Sequence, residues 1–189
     1  MIQIYPIARW ILTGAMLLMA LTANGFAEES ATAKLEEFHS GLIERYPDVS
    51  HVSPDELLNI LPDDTVLFDV REVVEFEVSH IKGAIQVSPS IWASSFVRKY
   101  GSQLKDKKVI FYCSVGERSS RLAQRVAAQL TDQQSVSVYN LEGGIFRWHN
   151  DYNTVVSQVG ETEAVHPFNR KWGQLLERQD MIRMRPESK

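Results

Sequence analysis

Cysteine is almost missing from this chain: Cys113 is the only one in 189 residues, so no internal disulfide can form and any redox change at its sulfur must involve a second molecule. Histidine is sparse too. The five histidines show no second ligand at metal-binding spacing, so no zinc site and no cofactor are expected. Positive charge is in short supply: the formal net charge is −4 and no basic stripe interrupts it, which argues against nucleic-acid binding. At 44% hydrophobic and 23% charged, the chain has neither a disordered nor a fibrous composition, and one globular domain with extensions is expected.

The residues that are present divide the chain. Residues 1–27 hold one charge, Arg9, an apolar run from Trp10 to Ala23, and small residues Gly25 and Ala27 before Glu28-Glu29. That pattern reads as a secretory signal, cleaved after Ala27 or Gly25. The alternative is an uncleaved anchor, since Ile2 to Ala23 approaches the roughly 20 residues that cross a bilayer. Either way the domain is expected outside the cytoplasm, periplasmic or anchored to the inner membrane, with membrane contact only if the segment stays.

Residues 28–48 form an N-terminal helical lead, with Leu35, Phe38, Leu42, Ile43 and Tyr46 at helical spacing. Ser53-Pro54-Asp55-Glu56 has capping-box chemistry and opens a helix through Ile60 or Leu61. Strands are expected at Val49 to Val52, Thr65 to Asp69, Ala84 to Val87, Val109 to Tyr112 and Val136 to Tyr139. Helical stretches at Glu72 to Val78, Ile91 to Tyr100 and Ser119 to Leu130 lie between them. This alternation predicts an α/β fold with a mainly parallel five-stranded sheet, helices on both faces, and ligands at the strands' carboxyl ends. Residues 151–189 form a C-terminal extension. In it Phe168, Trp172, Leu175, Leu176 and Ile182 suggest a partly amphipathic helix flanked by basic residues, which would pack on the domain or dock a protein partner or anionic surface.

Cys113 opens the hexapeptide Cys113-Ser114-Val115-Gly116-Glu117-Arg118 between an apolar strand and a helix. A cysteine at a helix N-terminus, near an arginine, ionises more readily than a free thiol. Gly116 permits a tight loop and Arg118 returns positive charge towards it, so Cys113 is expected to be a nucleophile rather than a core hydrophobe.

The Cys-x4-Arg loop is one residue shorter than the Cys-x5-Arg loop of protein tyrosine phosphatases and resembles the active-site loop of the rhodanese family of sulfurtransferases. Asp69-Val70-Arg71, Glu75-Phe76 and His80-Ile81-Lys82-Gly83-Ala84 stand in the order of that family's other signature, with Ser79 where the family usually has glycine. Leu141-Glu142-Gly143-Gly144-Ile145, followed by Trp148, is similar to its closing motif. The resemblance covers residues 49–150 and implies a rhodanese domain, with Asp69 and Arg71 in support and a fold-stabilising ion pair between Arg71 and Glu75.

The chemistry it implies is two-step: the Cys113 thiolate takes a sulfane sulfur from a donor as a persulfide and yields it to a nucleophile. Backbone N–H groups from Ser114, Val115, Gly116, Glu117 and Ser119 would surround the anion, with Arg118 supplying charge. Glu117, if it faced the pocket, would repel a dianion, so thiosulfate, a polysulfide and persulfides all stand as donors, and a thiol or cyanide as acceptor. A sulfur-carrier or interaction module without turnover is the alternative, and a phosphatase or arsenate reductase is disfavoured by the loop length. His80 is read as turn and packing chemistry, and Gly143-Gly144 as close backbone packing.

Overall fold

The computed structural model describes residues 30–60, 64–130 and 136–187. The proposed signal or anchor, residues 1–27, lies outside them. Helix α1 (Ala31–Arg45) begins at Ser30, whose side chain accepts the Ala33 N–H, and buries Leu35 and Leu42 while leaving Ile43 exposed. Then follow β1 (Ser50–Val52), α2 (Pro54–Ile60), β2 (Thr65–Asp69), α3 (Val73–Val78), β3 (Ile85–Gln86) and α4 (Ala93–Tyr100). After these come β4 (Lys108–Tyr112), α5 (Glu117–Ala127), β5 (Ser137–Leu141) and α6 (Gly144–Asn150). The expected capping box is formed: Ser53 N–H donates to Glu56 Oε2 at 2.9 Å and Glu56 N–H to Ser53 Oγ at 3.3 Å.

The five strands form one parallel sheet in the order β1-β5-β4-β2-β3. Strand β4 lies at its centre, and its alternation sorts the core. Ile110 and Tyr112 point to the side covered by Leu35 of α1, Leu57 of α2 and Phe146 of α6. Val109, Phe111 and then Cys113 point to the side covered by Phe96 of α4 and Leu122 and Val126 of α5. Cys113 is thus the next residue of a buried strand face, placed by period two before the chain turns into α5.

The C-terminal extension differs from the expected helix. It forms a hairpin, β6 (Val155–Ser157) and β7 (Gly160–Thr162), then a single turn α7 (Arg170–Gly173). Competing side-chain hydrogen bonds explain why no longer helix forms. Asn150 Nδ2 donates to the Leu175 carbonyl at 2.9 Å and Asn150 Oδ1 accepts the Glu177 N–H at 2.9 Å, while Gln179 Nε2 donates to the carbonyls of Gly173 and Leu176. The proposed stripe is divided: Trp172 packs edge-on to Phe38 with ring centroids 5.1 Å apart, Leu176 is buried in the core, and Phe168 lies elsewhere.

Helix α1 is tied to the sheet by a histidine pair. The rings of His39 and His51 meet edge to face at 4.6 Å, Asn140 Nδ2 donates to His51 Nδ1 at 3.3 Å, and His39 Nε2 is 3.7 Å from Glu142. Burial, then the neighbouring His39, pushes His51 down to about 4, and burial lowers His39 as well, against the pull of Glu142. Both rings are therefore neutral in the folded protein near pH 7. The stability they give is complete above the unfolded histidine value near 6.5 and falls as pH drops from there towards about 4. Urea midpoints at pH 7 and pH 5 should show wild type losing stability between the two and His51→Gln losing less.

Candidate active site

Asp69 and Tyr112 are register partners at the carboxyl ends of β2 and β4. Arg71, fully buried, folds back onto Asp69, with Nε 2.9 Å from Oδ1 and Nη2 2.6 Å from Oδ2; the same Nη2 donates to the Ser79 carbonyl at 2.6 Å. This corrects the pairing implied by the family resemblance: Arg71 pairs with Asp69 and not with Glu75. The reason is local. Helix α3 starts at Val73 with Glu72 as its N-cap, so Arg71 lies before the helix, where a four-residue separation gives no shared face.

Glu75 is released to the loop. Arg118 Nη1 donates to Glu75 Oε2 at 2.8 Å, Arg118 Nη2 to Glu75 Oε1 at 3.0 Å, and Ser114 Oγ donates to Glu75 Oε1 at 3.0 Å. Arg118 Nη2 also reaches Ser114 Oγ at 2.9 Å. Burial alone would raise the Glu75 carboxyl, but the hydrogen bonds and charge of Arg118, with Arg71 behind, hold it below the usual carboxylate range. Arg118 loses hydration on burial, and Glu75 together with the nearby Cys113 sulfur more than restores its preference for the charged form.

The cysteine sits inside this frame. Cys113 is buried, and its Sγ accepts the Gly116 N–H at 3.2 Å. Gly116 has φ +98°, and a Cβ there would press on Leu42 and Asn140 at 3.1 and 3.2 Å, so both conformation and space call for glycine. The carbonyls of Cys113 and Ser114 turn the other way and accept the Ile145 and Phe146 N–H groups at the start of α6, at 2.9 and 3.0 Å. Gly144 makes that approach possible, since a Cβ there would come within 2.4 Å of the Cys113 oxygen. The expectation of close backbone packing at Gly143-Gly144 is met at Gly144. With these carbonyls held by α6, the backbone donor that meets the sulfur is the N–H of Gly116, the residue that caps the N-terminus of α5, the positive end of that helix's dipole.

The remaining residues of the hexapeptide have structural contacts. Val115 packs in the core beside Ile145, and Ser119 Oγ donates to the Gly116 carbonyl at 3.1 Å. Glu117 turns away from the sulfur: its carboxylate pairs with Arg45 of α1 and accepts the Tyr46 hydroxyl at 2.8 Å. Its charge is thereby spent on α1, and the carboxylate that does stand at the loop is Glu75. His80 stacks on Phe76 at 3.8 Å and Trp148 is buried with Nε1 donating to the Thr154 carbonyl, both in packing roles.

Two residues at the site escaped the sequence reading. Phe168 stacks on Arg118, with the guanidinium carbon 4.9 Å from the ring centroid, and buried His166 accepts the Phe168 N–H at 3.0 Å. The sequence places Phe168 only in the apolar stripe of the C-terminal extension, which carries no signal of a contact with Arg118.

The chain matches the family model described as rhodanese-like domain over residues 53–151. Among curated proteins, a tRNA uridine(34) hydroxylase of Staphylococcus saprophyticus is 29% identical over 108 residues, covering 56% of this chain and 33% of that protein. One from Shouchella clausii is 31% identical over 106 residues, covering 53% of this chain and 31% of that protein. The chain thus spans about a third of the length of these relatives. Among solved structures, a rhodanese-related protein of Thermoplasma volcanium is 24% identical with a TM-score of 0.45, over 57% of this chain and 97% of that one.

Two substitutions test this frame. Glu75→Gln should cost about 3 kcal/mol, the low end for breaking a buried ion pair because Arg118 keeps some exposure. The stabilisation from Glu75 is complete above the unfolded carboxylate value of about 4.3 and is lost as pH falls through its lower folded value, so urea midpoints of Glu75→Gln should fall less steeply than wild type in that acid range. Gly144→Ala, at φ +58° and against the Cys113 and Ser114 oxygens, should lose about 2 kcal/mol or more in the same measurement at pH 7.

Proposed function

The chain belongs to the rhodanese-like domain family, and from that premise we propose that it is a sulfurtransferase that carries sulfane sulfur as a persulfide on Cys113. The observation that carries this reading is the placement of the only cysteine: at a helix N-terminus, accepting an N–H at 3.2 Å, with an arginine held beside it. These are groups that favour an anion, and both the thiolate and the persulfide are anions.

The Cys113 thiolate attacks the outer sulfur of a donor. A sulfur–sulfur bond forms to Cys113, the donor's sulfur–sulfur bond breaks, and the leaving group departs with the electron pair as sulfite or a thiolate. Attack by a thiol or cyanide on the outer sulfur of the persulfide then returns the Cys113 thiolate. Ser114 and Arg118 hold the loop in shape through Glu75, and Gly116 supplies the hydrogen bond to sulfur.

The name of the curated relatives points to RNA, but a formal net charge of −4 does not favour association with a phosphate backbone. In our reading the apolar start of the chain exports the domain. A lone thiol has no internal resolving cysteine, and its sulfur is passed to another molecule.

Intact-protein mass spectrometry of the full chain tests the reading. After thiosulfate or polysulfide, wild type should gain one sulfur that cyanide removes, and Cys113→Ser should gain none. Absence of the adduct with every donor would overturn the sulfurtransferase reading in favour of a binding role.

A further inference from the structure

Phe168 belongs to the C-terminal extension, beyond the residues that match the family domain, yet it lies against the arginine of the Cys113 loop. Three observations show that this placement is held in position. The backbone at Phe168 has φ +62°, a left-handed conformation uncommon for an aromatic residue. The residue is 42% exposed, so burial in the core does not account for its position. The segment around it is fixed at both ends. His166 takes the Phe168 N–H, Val165 pairs with Ile182, and Asn169 caps α7 by accepting the Trp172 N–H at 3.1 Å.

The guanidinium beneath is engaged on its two terminal nitrogens and on one face. Nη1 and Nη2 are engaged by Glu75 and Ser114, and one face is covered by the Phe168 ring. An incoming oxyanion finds the charge of Arg118 already paired with Glu75 and one face of its guanidinium covered by the ring. An uncharged organic group finds a half-exposed aromatic surface beside the loop.

We propose that Phe168 is a donor-selecting residue of the Cys113 site, favouring sulfane sulfur carried on an organic body, R–S–SH, over inorganic oxyanions such as thiosulfate. This rests on the sulfurtransferase reading. In the selected step the Cys113 thiolate bonds to the outer sulfur of R–S–SH, that sulfur keeps its proton, and R–S⁻ leaves with the electron pair of the broken bond. The ring holds R during the attack and takes no part in bond making.

The test compares Cys113 loading rates, by intact mass, for the full chain with benzyl persulfide released in situ and with thiosulfate. Phe168→Ala should lower the ratio of the two rate constants about tenfold, the scale of one aromatic contact, and Phe168→Tyr should restore it. Phe168→Gly, at ease at φ +62°, should match Phe168→Ala, which assigns the effect to the ring and not to the backbone. A merely structural role would slow both donors alike and leave the ratio unmoved. An unchanged ratio in Phe168→Ala and Phe168→Gly, with wild type still loading, would overturn the selection and leave the sulfurtransferase reading standing. A wild type that loads with neither donor would overturn both.

Discussion

A fully buried arginine is costly to desolvate, and Arg71 is accommodated because Asp69 meets it with two-pronged geometry and the Ser79 carbonyl takes a further hydrogen. The pair does more than neutralise itself. Asp69 ends β2 beside Tyr112 at the end of β4, and Ser79 ends α3, so one guanidinium joins the carboxyl edge of the sheet to the far end of a short helix. Tyr112 extends the joint by accepting the Ile81 N–H at 3.1 Å. A six-residue helix has little stability of its own. Anchored in this way, α3 presents Glu75 to the cysteine loop from a fixed place, and the loop's arginine and serine organise around that carboxylate. Removing the Arg71–Asp69 pair would loosen the anchor of α3, and with it one of the constraints on Glu75, through residues outside the cysteine loop.

The loop itself is shaped by a division of its backbone dipoles. Carbonyls of Cys113 and Ser114 are drawn to the N-terminus of α6, while Gly116, which caps the N-terminus of α5, gives its N–H to the sulfur. Two helix N-termini therefore act on one turn with opposite parts of the peptide group: α6 takes oxygens, α5 offers nitrogens. That arrangement requires α6 to approach within hydrogen-bonding distance of the loop, which is why Gly144 has no room for a side chain.

Most of this was legible in the sequence because it depends on local rules. Period-two alternation in Val109-Ile110-Phe111-Tyr112 and the strand-to-helix break at Gly116 locate Cys113 correctly, and the β-branched and aromatic runs give five strands with small errors at their ends. The pairing of Arg71 was missed because sequence separation decides a helical contact only when both residues lie in the helix, and Arg71 lies before it. The tail was missed for a different reason. Its apolar residues fit a helical period, but Asn150 and Gln179 compete for the backbone groups a helix would need, and the reach of Asn150 across 25 residues to Leu175 leaves no periodic signature. Glu117 belongs with these: its partner, Arg45, is 72 residues away.

The two extensions meet the domain at the same place. Helix α1 engages the first residue of α5 through Arg45 and Tyr46, and the C-terminal segment engages the second through Phe168. The family fold supplies the cysteine, the glycine turn and the buried ion pairs, all of which serve any chemistry done by an anionic sulfur. Contacts from outside the family match then fix how the residues just after the cysteine present themselves. One draws the Glu117 carboxylate away from the sulfur, and the other covers Arg118. Both reduce the net charge available at the pocket mouth, the first by removing a negative group and the second by masking a positive one. A site with neither charge on offer would discriminate by shape and apolar contact, and under the proposal made for Phe168 that discrimination comes from the segments that flank the shared domain.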